Sequence, residues 1–329
     1  MTTNTLCRPD EVSRLITAGK HLVLAGDESL LRELPAGSWI GGTIPYFMSQ
    51  LGGCVNREQI FVTELPPYVI DVRCRAYDSA RLPSIYEVGG EDEVAIAILP
   101  SESRIHGDFA LNAPRYPGFA TYPLIGWIAG VHLSEIGRAS AKVFCGSGNP
   151  HSDVAAVIRF RLPRTLYAEI NTINLFRPGS GDSILFPTEG FSASTVLING
   201  KVRSLADYLL ENKIDTRLPL VADYCGTMVN VSFREVDAKQ GKVAFYAPVW
   251  PGLEYKLAAP IGDYVSLFNS ALEKASPDKL LFSCNCILNY LYSQLEGRKT
   301  AVEGPITFGE IAYQLLNQTF TYLSISSYR

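Results

Sequence analysis

The sequence predicts an α/β protein of the α+β kind: two mixed β-sheets packed together, helices on their outer faces, an αββα-like layered arrangement. Three observations point there. Runs rich in β-branched and apolar residues, such as QIFVTEL, VAIAIL and VAAVIRF, recur along the chain. Stretches with helical apolar spacing, such as DYVSLFNSALEKA, lie between others. The 329 residues are 47% hydrophobic and 19% charged, enough to bury a large core and too apolar for disorder.

Taken in order, the first helix is expected over Asp10 to Ala18, with Pro9 at its start, Asp10 and Glu11 in its first turn and Gly19 to end it. HLVLAG then reads as a strand and DESLLREL as a short helix. QIFVTEL, VAIAIL, VAAVIRF and LYAEINTINLF read as further strands. The acidic cluster Glu91, Asp92 and Glu93 ahead of VAIAIL reads as a solvated turn. FRPGSGDS, Phe176 to Ser183, combines Pro, Gly and Ser between strand-like segments, so the boundary between two parts, 1–180 and 181–329, is placed there; a long hairpin loop is the alternative.

In the second part TVLING is a strand ending in an Asn199-Gly200 turn, and SLADYLLENK a helix capped by Ser204. MVNVSFREV and GKVAFYAPV read as strands. Asp263 opens an amphipathic helix, KLLFSC is a buried strand, CILNYLYSQLEG a helix stopped by Gly297, and FTYLSI a last strand. No short-period repeat or low-complexity segment occurs.

Composition excludes several functions. Net charge is −4, from 29 basic and 33 acidic residues, and no Lys/Arg cluster is interleaved with aromatics, which argues against nucleic acid. No apolar run approaches the roughly 20 residues of a membrane helix, and MTTNTLCRPDEVSRLITAGK lacks the regions of a signal peptide. A cytoplasmic location is expected. Seven cysteines, odd in number and irregular in spacing, make no disulfide framework; most are expected to be small buried hydrophobes.

The segment KLLFSCNCILNYLYSQLEGRK places Cys284, Asn285 and Cys286 at a strand-to-helix junction. Such a junction presents unpaired backbone N–H groups and the positive end of a dipole, and ligands favour the carboxyl ends of strands. Four readings stand: metal clip, nucleophile, ligand contact or ordinary core. Cys-x-Cys without a second close pair is poor for zinc, so no metal or cofactor is expected. A nucleophile needs a base; the histidines are His21, His106, His132 and His151, and RIHGDF offers Asp108, two residues from His106, as a group to orient its imidazole. WIGGTIPYF lacks the spacing and lysine of a phosphate loop. CGSGNPHSD is followed by a strand rather than a helix, and HLSE offers too few ligands for a metal.

The ordered series VLINGKVRSLADYLLENKI, GKVAFYAPVWPGLEYKLAAP, LLFSCNC and GPITFGEIAYQLLNQTFTYLSI resembles the C-terminal part of FIST (F-box and intracellular signal transduction) proteins, over Thr195 to Ile325. GSWIGGTIPYFM and YPLIGWIAGVHL resemble glycine-bearing strands of the family's N-terminal part. Two departures stand out. The family's Gly-Arg after the cysteine is absent here, and its Cys-Ser-Thr is Gly41-Gly42-Thr43, without a thiol. The resemblance implies an intracellular, sensor-like module for small ligands such as amino acids, coupled to a signalling partner and without known catalysis.

These readings converge on a small-ligand-binding, sensor-like protein. The expected ligand contacts are Gly42, Thr43 and Trp127 from the first part and Cys284, Asn285, Gly309, Glu310 and Asn317 from the second; glycines let a ligand approach backbone N–H groups, Glu310 suits an ammonium, and Asn317 both donates and accepts. Each also has an ordinary structural role: core for Trp127, an ion pair or helix-start carboxylate for Glu310, a turn or strand edge for Asn317. Two alternatives are a Cys284-dependent enzyme, and a scaffold or homo-oligomer using the aromatic tail FTYLSISSYR, where Tyr322 and Tyr328 would pack on a partner.

Overall fold

The computed structural model of the chain describes residues 4–87, 90, 92–224, 226–275 and 280–328; Glu91, Cys225 and Lys279 lie outside them. The fold is mixed α/β, with strands well in excess of helices. Among the described residues the strands form four six-stranded sheets and one three-stranded sheet, against the two expected. Two of the additional sheets, a six-stranded one and the three-stranded one, enclose a buried core of their own that includes Val196, Leu220, Phe245 and Tyr255. At the edge of the larger, Lys201–Ser204 has no buried residue and pairs with Thr195–Ile198 through the Asn199-Gly200 turn, both turn residues having positive φ. Among the described residues six α-helices accompany the sheets: α1 (Pro9–Thr17), α2 (Glu28–Arg32), α3 (Arg104–Asn112), α4 (Leu205–Glu211), α5 (Tyr264–Ala275) and α6 (Ile287–Tyr292).

Local signals largely explain the helix ends. Pro9 and two acidic residues open α1. Asp27 accepts from Ser29 N at 3.2 Å to start α2, and Ser204 accepts from Asp207 N at 3.3 Å to start α4. Asp263 accepts from Ser266 N at 2.9 Å ahead of α5. Helix α6 ends at Tyr292, short of the expected Gly297, and Gln294 beyond it already has φ +52°. The strand before it runs on to Cys286, because Cys284 and Asn285 pair with Thr321 and Phe320 while Asn285 and Cys286 pair in parallel with Ile306 and Thr307.

The main core lies between sheets. Ile40 and Val23 from one sheet, Ile96, Ile98 and Trp127 from a second, and Phe282 and Leu323 from a third share one buried cluster. Strand Glu93–Pro100 is buried along its whole length. Ile96 and Ile98 face this cluster, whereas Ala95, Ala97 and Leu99 face Ile105 and Phe109 of α3, which is why VAIAIL reads as a continuous apolar run. Val12 and Ile16 of α1 pack on Leu22, Leu24 and Trp39, and Phe268 of α5 meets Phe320 edge-on at 4.9 Å.

The two parts of the chain are interleaved. Leu166–Ile173 pairs antiparallel with Phe320–Ser327 along its whole length, Tyr46–Ser49 pairs with Gly304–Thr307, and Leu124–Ala129 with Glu310–Ala312. The Phe176–Ser183 segment connects them, and its Pro178 bridges to Ala258.

Candidate functional site

A cleft of about 500 Å³ lies where residues from both parts meet. One wall follows the carboxyl ends of two parallel strands. Glu93–Pro100 runs through Ser101, Glu102 and Ser103 into α3, and Leu124–Ala129 leads to Val131 and Leu133. The opposite wall comes from the three-stranded sheet, with Phe191, Arg234 and Tyr246. Ile287, Leu288 and Leu291 of α6, with Phe308, complete the apolar lining. Parallel neighbours ending together leave such a crevice, and the helices that follow frame it.

The turn into α3 is tightly built. Glu102 takes φ +58°, a conformation uncommon for a residue with a side chain. Ser103 Oγ donates to Pro100 O at 2.6 Å and accepts from His106 N at 3.2 Å, while Ile105 N donates to the Asp153 carboxylate at 2.9 Å. These donors of the helix start are therefore occupied. Charge at the cleft comes instead from Glu102 and Arg234, on opposite walls, which form an ion pair of 3.3 Å with side chains 58% and 52% exposed. His106 faces the cleft edge-on to Phe191, with ring centroids 6.3 Å apart. Its Nε2 is shut off from solvent and meets no hydrogen-bond partner. Burial pushes its pKa down to about 4, so the imidazole is neutral at pH 7. Asp108 does not serve it: two residues apart on a helix the side chains diverge, and Asp108 pairs with Arg104 at 3.4 Å.

None of the eight residues expected from the sequence lines this cleft. Gly42 sits under the main core: a Cβ there would lie 2.6 Å from Ile98 Cγ2 and 2.7 Å from Trp127 Cη2. Trp127 is fully buried against that gap. Thr43 donates to Gly130 O at 2.8 Å and borders a second cavity of about 350 Å³, which shares Val131, Ala139 and Ser140 with the first. Cys284 is fully buried; its sulfur lies 3.4 Å from Gly126 O and 3.2 Å from Thr321 Oγ1. Burial and the neighbouring Glu310 push its thiol far above the usual range, so it is not an activated nucleophile. Gly309 O accepts from Ile128 N at 2.9 Å.

Asn285, Glu310 and Asn317 belong to a buried polar network. Asn285 Oδ1 accepts from Cys286 N at 2.8 Å and Asn289 Nδ2 at 3.0 Å. Asn317 Oδ1 accepts from Ser232 N at 3.1 Å, while its Nδ2 has no partner. Glu310 Oε2 accepts from Thr319 N at 3.2 Å and from Thr319 Oγ1 at 2.6 Å; Oε1 meets no N–H or O–H donor, and the Cys286 thiol is the carboxyl's other hydrogen-bonding neighbour. Burial raises the Glu310 pKa to about 8. This network adjoins the cleft through the chain itself: Cys286 precedes Ile287, and Phe308 precedes Gly309 and Glu310.

The strand-to-helix junction at residues 284–286 thus delivers cleft residues one step further on, as the first turn of α6. Ser103 ahead of RIHGDFALN, with Ile105 and Phe109 four apart, is a helix-start signal that could have revealed α3. Nothing local marks Arg234 or Tyr246. Among the described residues no group of three or more His, Cys, Asp or Glu is placed to hold a metal ion. No described helix is long and apolar enough to cross a membrane.

Compared with known proteins, the chain matches the model of a family of unknown function (DUF6976) over residues 7–326. No curated protein and no solved structure matches it.

Proposed function

The chain belongs to that family of unknown function, and from its own geometry we propose that it is a small-ligand-binding, sensor-like protein whose ligand, an amino acid or similar metabolite, occupies the cleft beside α6. The observation that carries this reading is the pairing of an apolar lining with a weak charge pair across the cleft. The volume falls within the range usual for small-molecule sites. Ile287, Leu288 and Phe308 offer an apolar bed, and at the rim Ile136 (48%), Leu291 (38%) and Tyr246 (38%) stay exposed. An exposed ion pair contributes only about 0–1 kcal/mol. A zwitterion therefore separates Glu102 and Arg234 at little cost, its ammonium meeting the carboxylate and its carboxylate the guanidinium.

The FIST resemblance supports the same class of function, a cytoplasmic location and a signalling partner. We take the sheets around the main core as the face-to-face layers of that reading, with α1 and α3 outside.

The test is thermal unfolding against a panel of amino acids and related metabolites at pH 6.5. A true ligand at 100 times its Kd adds about 2.7 kcal/mol of stability, which raises the midpoint measurably. Arg234→Glu and Leu288→Trp are expected to abolish that rise while leaving the unliganded midpoint within a few degrees. A panel that raises no midpoint, or a rise that survives both substitutions, overturns the proposal.

The scaffold reading has less to rest on. Tyr322 is buried within its sheet, and Tyr328, 61% exposed, already packs on Tyr167 at 4.8 Å.

A further inference from the structure

We propose that Glu310 is a proton-dependent positioning residue of the cleft, acting through Thr319 and Asn289 on helix α6. The path is continuous. Glu310 Oε2 takes both the backbone N–H and the hydroxyl of Thr319. Thr319 O in turn accepts from Cys286 N, the residue that caps α6, at 3.2 Å, and from Asn289 Nδ2, inside α6, at 3.3 Å. The residues those bonds hold are neighbours of Ile287, Leu288 and Leu291, which line the cleft. Thr319 follows Gln318, whose φ of +50° is unfavourable for a side-chain-bearing residue, so the turn depends on its polar anchors.

Among the described residues the carboxyl has no counter-ion. Strands Leu124–Ala129, Leu166–Ile173, Leu280–Cys286, Glu310–Ala312, Gln314–Leu316 and Phe320–Ser327, and α6 itself, contain no Lys, Arg or His, and Leu166–Ile173 carries only the acidic Glu169. The titratable groups that feel its charge are Cys284, Cys286 and Tyr264, whose own ionisation it opposes; the Cys286 thiol also hydrogen-bonds the carboxyl and favours its charged form, against the larger effect of burial. A carboxylate formed here keeps Thr319 as donor on Oε2 and the Cys286 thiol as a weak donor, but Oε1 has no N–H or O–H donor and the buried charge has no cation to offset it. The structure relieves that charge by letting water reach it, and the nearest movable piece is the short, six-residue α6. Burial, which raises the carboxyl's pKa to about 8, puts the transition within reach of ordinary buffers.

The inference gives the proposed ligand site a regulation, yet its test needs no ligand. Amide hydrogen exchange across Asn289–Ser293, corrected for the intrinsic pH dependence, is followed from pH 6.5 to 9.5. Wild type is expected to lose at least tenfold in protection across about pH 8, while Glu310→Gln keeps its protection within twofold. Thr319→Val removes a hydroxyl that favours the carboxylate and is expected to move the break to higher pH. Protection that is flat in wild type, or that falls equally in Glu310→Gln, overturns the proposal; so does a break unmoved by Thr319→Val, should Glu310→Gln fail to fold. Failure of the ligand panel at pH 6.5, where Glu310 is protonated, bears on the cleft's function and leaves this result standing.

Discussion

Glu310 is fully buried and His106 partly so, with its Nε2 sealed from solvent, and loss of solvent drives the two titratable groups in opposite directions. The His106 pKa falls to about 4 from an unfolded value near 6.5, so below pH 6.5 the unfolded chain binds a proton that the folded protein refuses. Its contribution to stability is complete above pH 6.5 and is lost as pH falls through 4. Glu310, raised to about 8, does the reverse: the folded protein holds a proton that the unfolded chain releases above about 4.5, so stability declines as pH rises from there to 8. Between about 4.5 and 6.5 the two slopes oppose each other, each at most about 1.4 kcal/mol per pH unit. His106→Gln removes one of them. The stability of wild type relative to His106→Gln, from urea unfolding, is therefore expected to fall as pH drops from 6.5 to 4.5. A difference independent of pH would show that the ring takes up its proton alike in the folded and unfolded protein, and overturns the burial reading. Neither group's environment is legible in sequence. RIHGDF pairs His106 with Asp108 on paper, and FGEI places Glu310 beside a glycine; the burial that sets both pKa values comes from residues more than a hundred positions away for Glu310, such as Trp127 in its neighbouring strand.

Elements whose cause is local were readable. Asp27, Ser204 and Asp263 cap the helices they precede, and Asn199-Gly200 makes the hairpin turn it signals. Elements decided by distant partners were not. Strand Leu280–Cys286 outruns its apolar stretch because two neighbouring strands pair with Asn285, and α3 is hidden behind the His106–Asp108 reading. Helix α3 rests on its cap. Ser103 Oγ holds His106 N and closes onto Pro100 O, and this same turn presents Glu102 and His106 to the cleft. Ser103→Ala is expected to lower stability by about 1 kcal/mol, read as a lower urea midpoint with an unchanged slope. Ser103→Asp, which keeps an acceptor for His106 N, should recover most of it. Equal loss in both variants would mean that the bond to Pro100 O, not the cap, matters.

Across the whole molecule, the change in composition at Phe176–Ser183 suggests two parts, and pairing across it ties them together. Phe320–Ser327 has Leu166–Ile173 on one side and Leu280–Cys286 on the other, so removing residues 1–180 exposes one complete edge of a strand buried over six of its eight positions. Gly304–Thr307 likewise loses Tyr46–Ser49, and Glu310–Ala312 loses Leu124–Ala129, which uncovers Glu310 itself. Three severed pairings in two sheets outweigh the self-contained cluster around α4, whose buried members all fall between Ile184 and Tyr255. A fragment of residues 181–329 is therefore expected to keep protected amides only within 184–257 and to show no dispersed signals from Leu280 onward by NMR, and adding residues 1–180 should restore them together with the cleft. The cleft needs both because Glu102 and His106 come from one side of residue 180 and Arg234 and Leu288 from the other. A fragment in which Phe320–Ser327 is ordered on its own would mean that the second part folds independently, and that the cleft forms by docking of two finished units rather than by one interleaved fold.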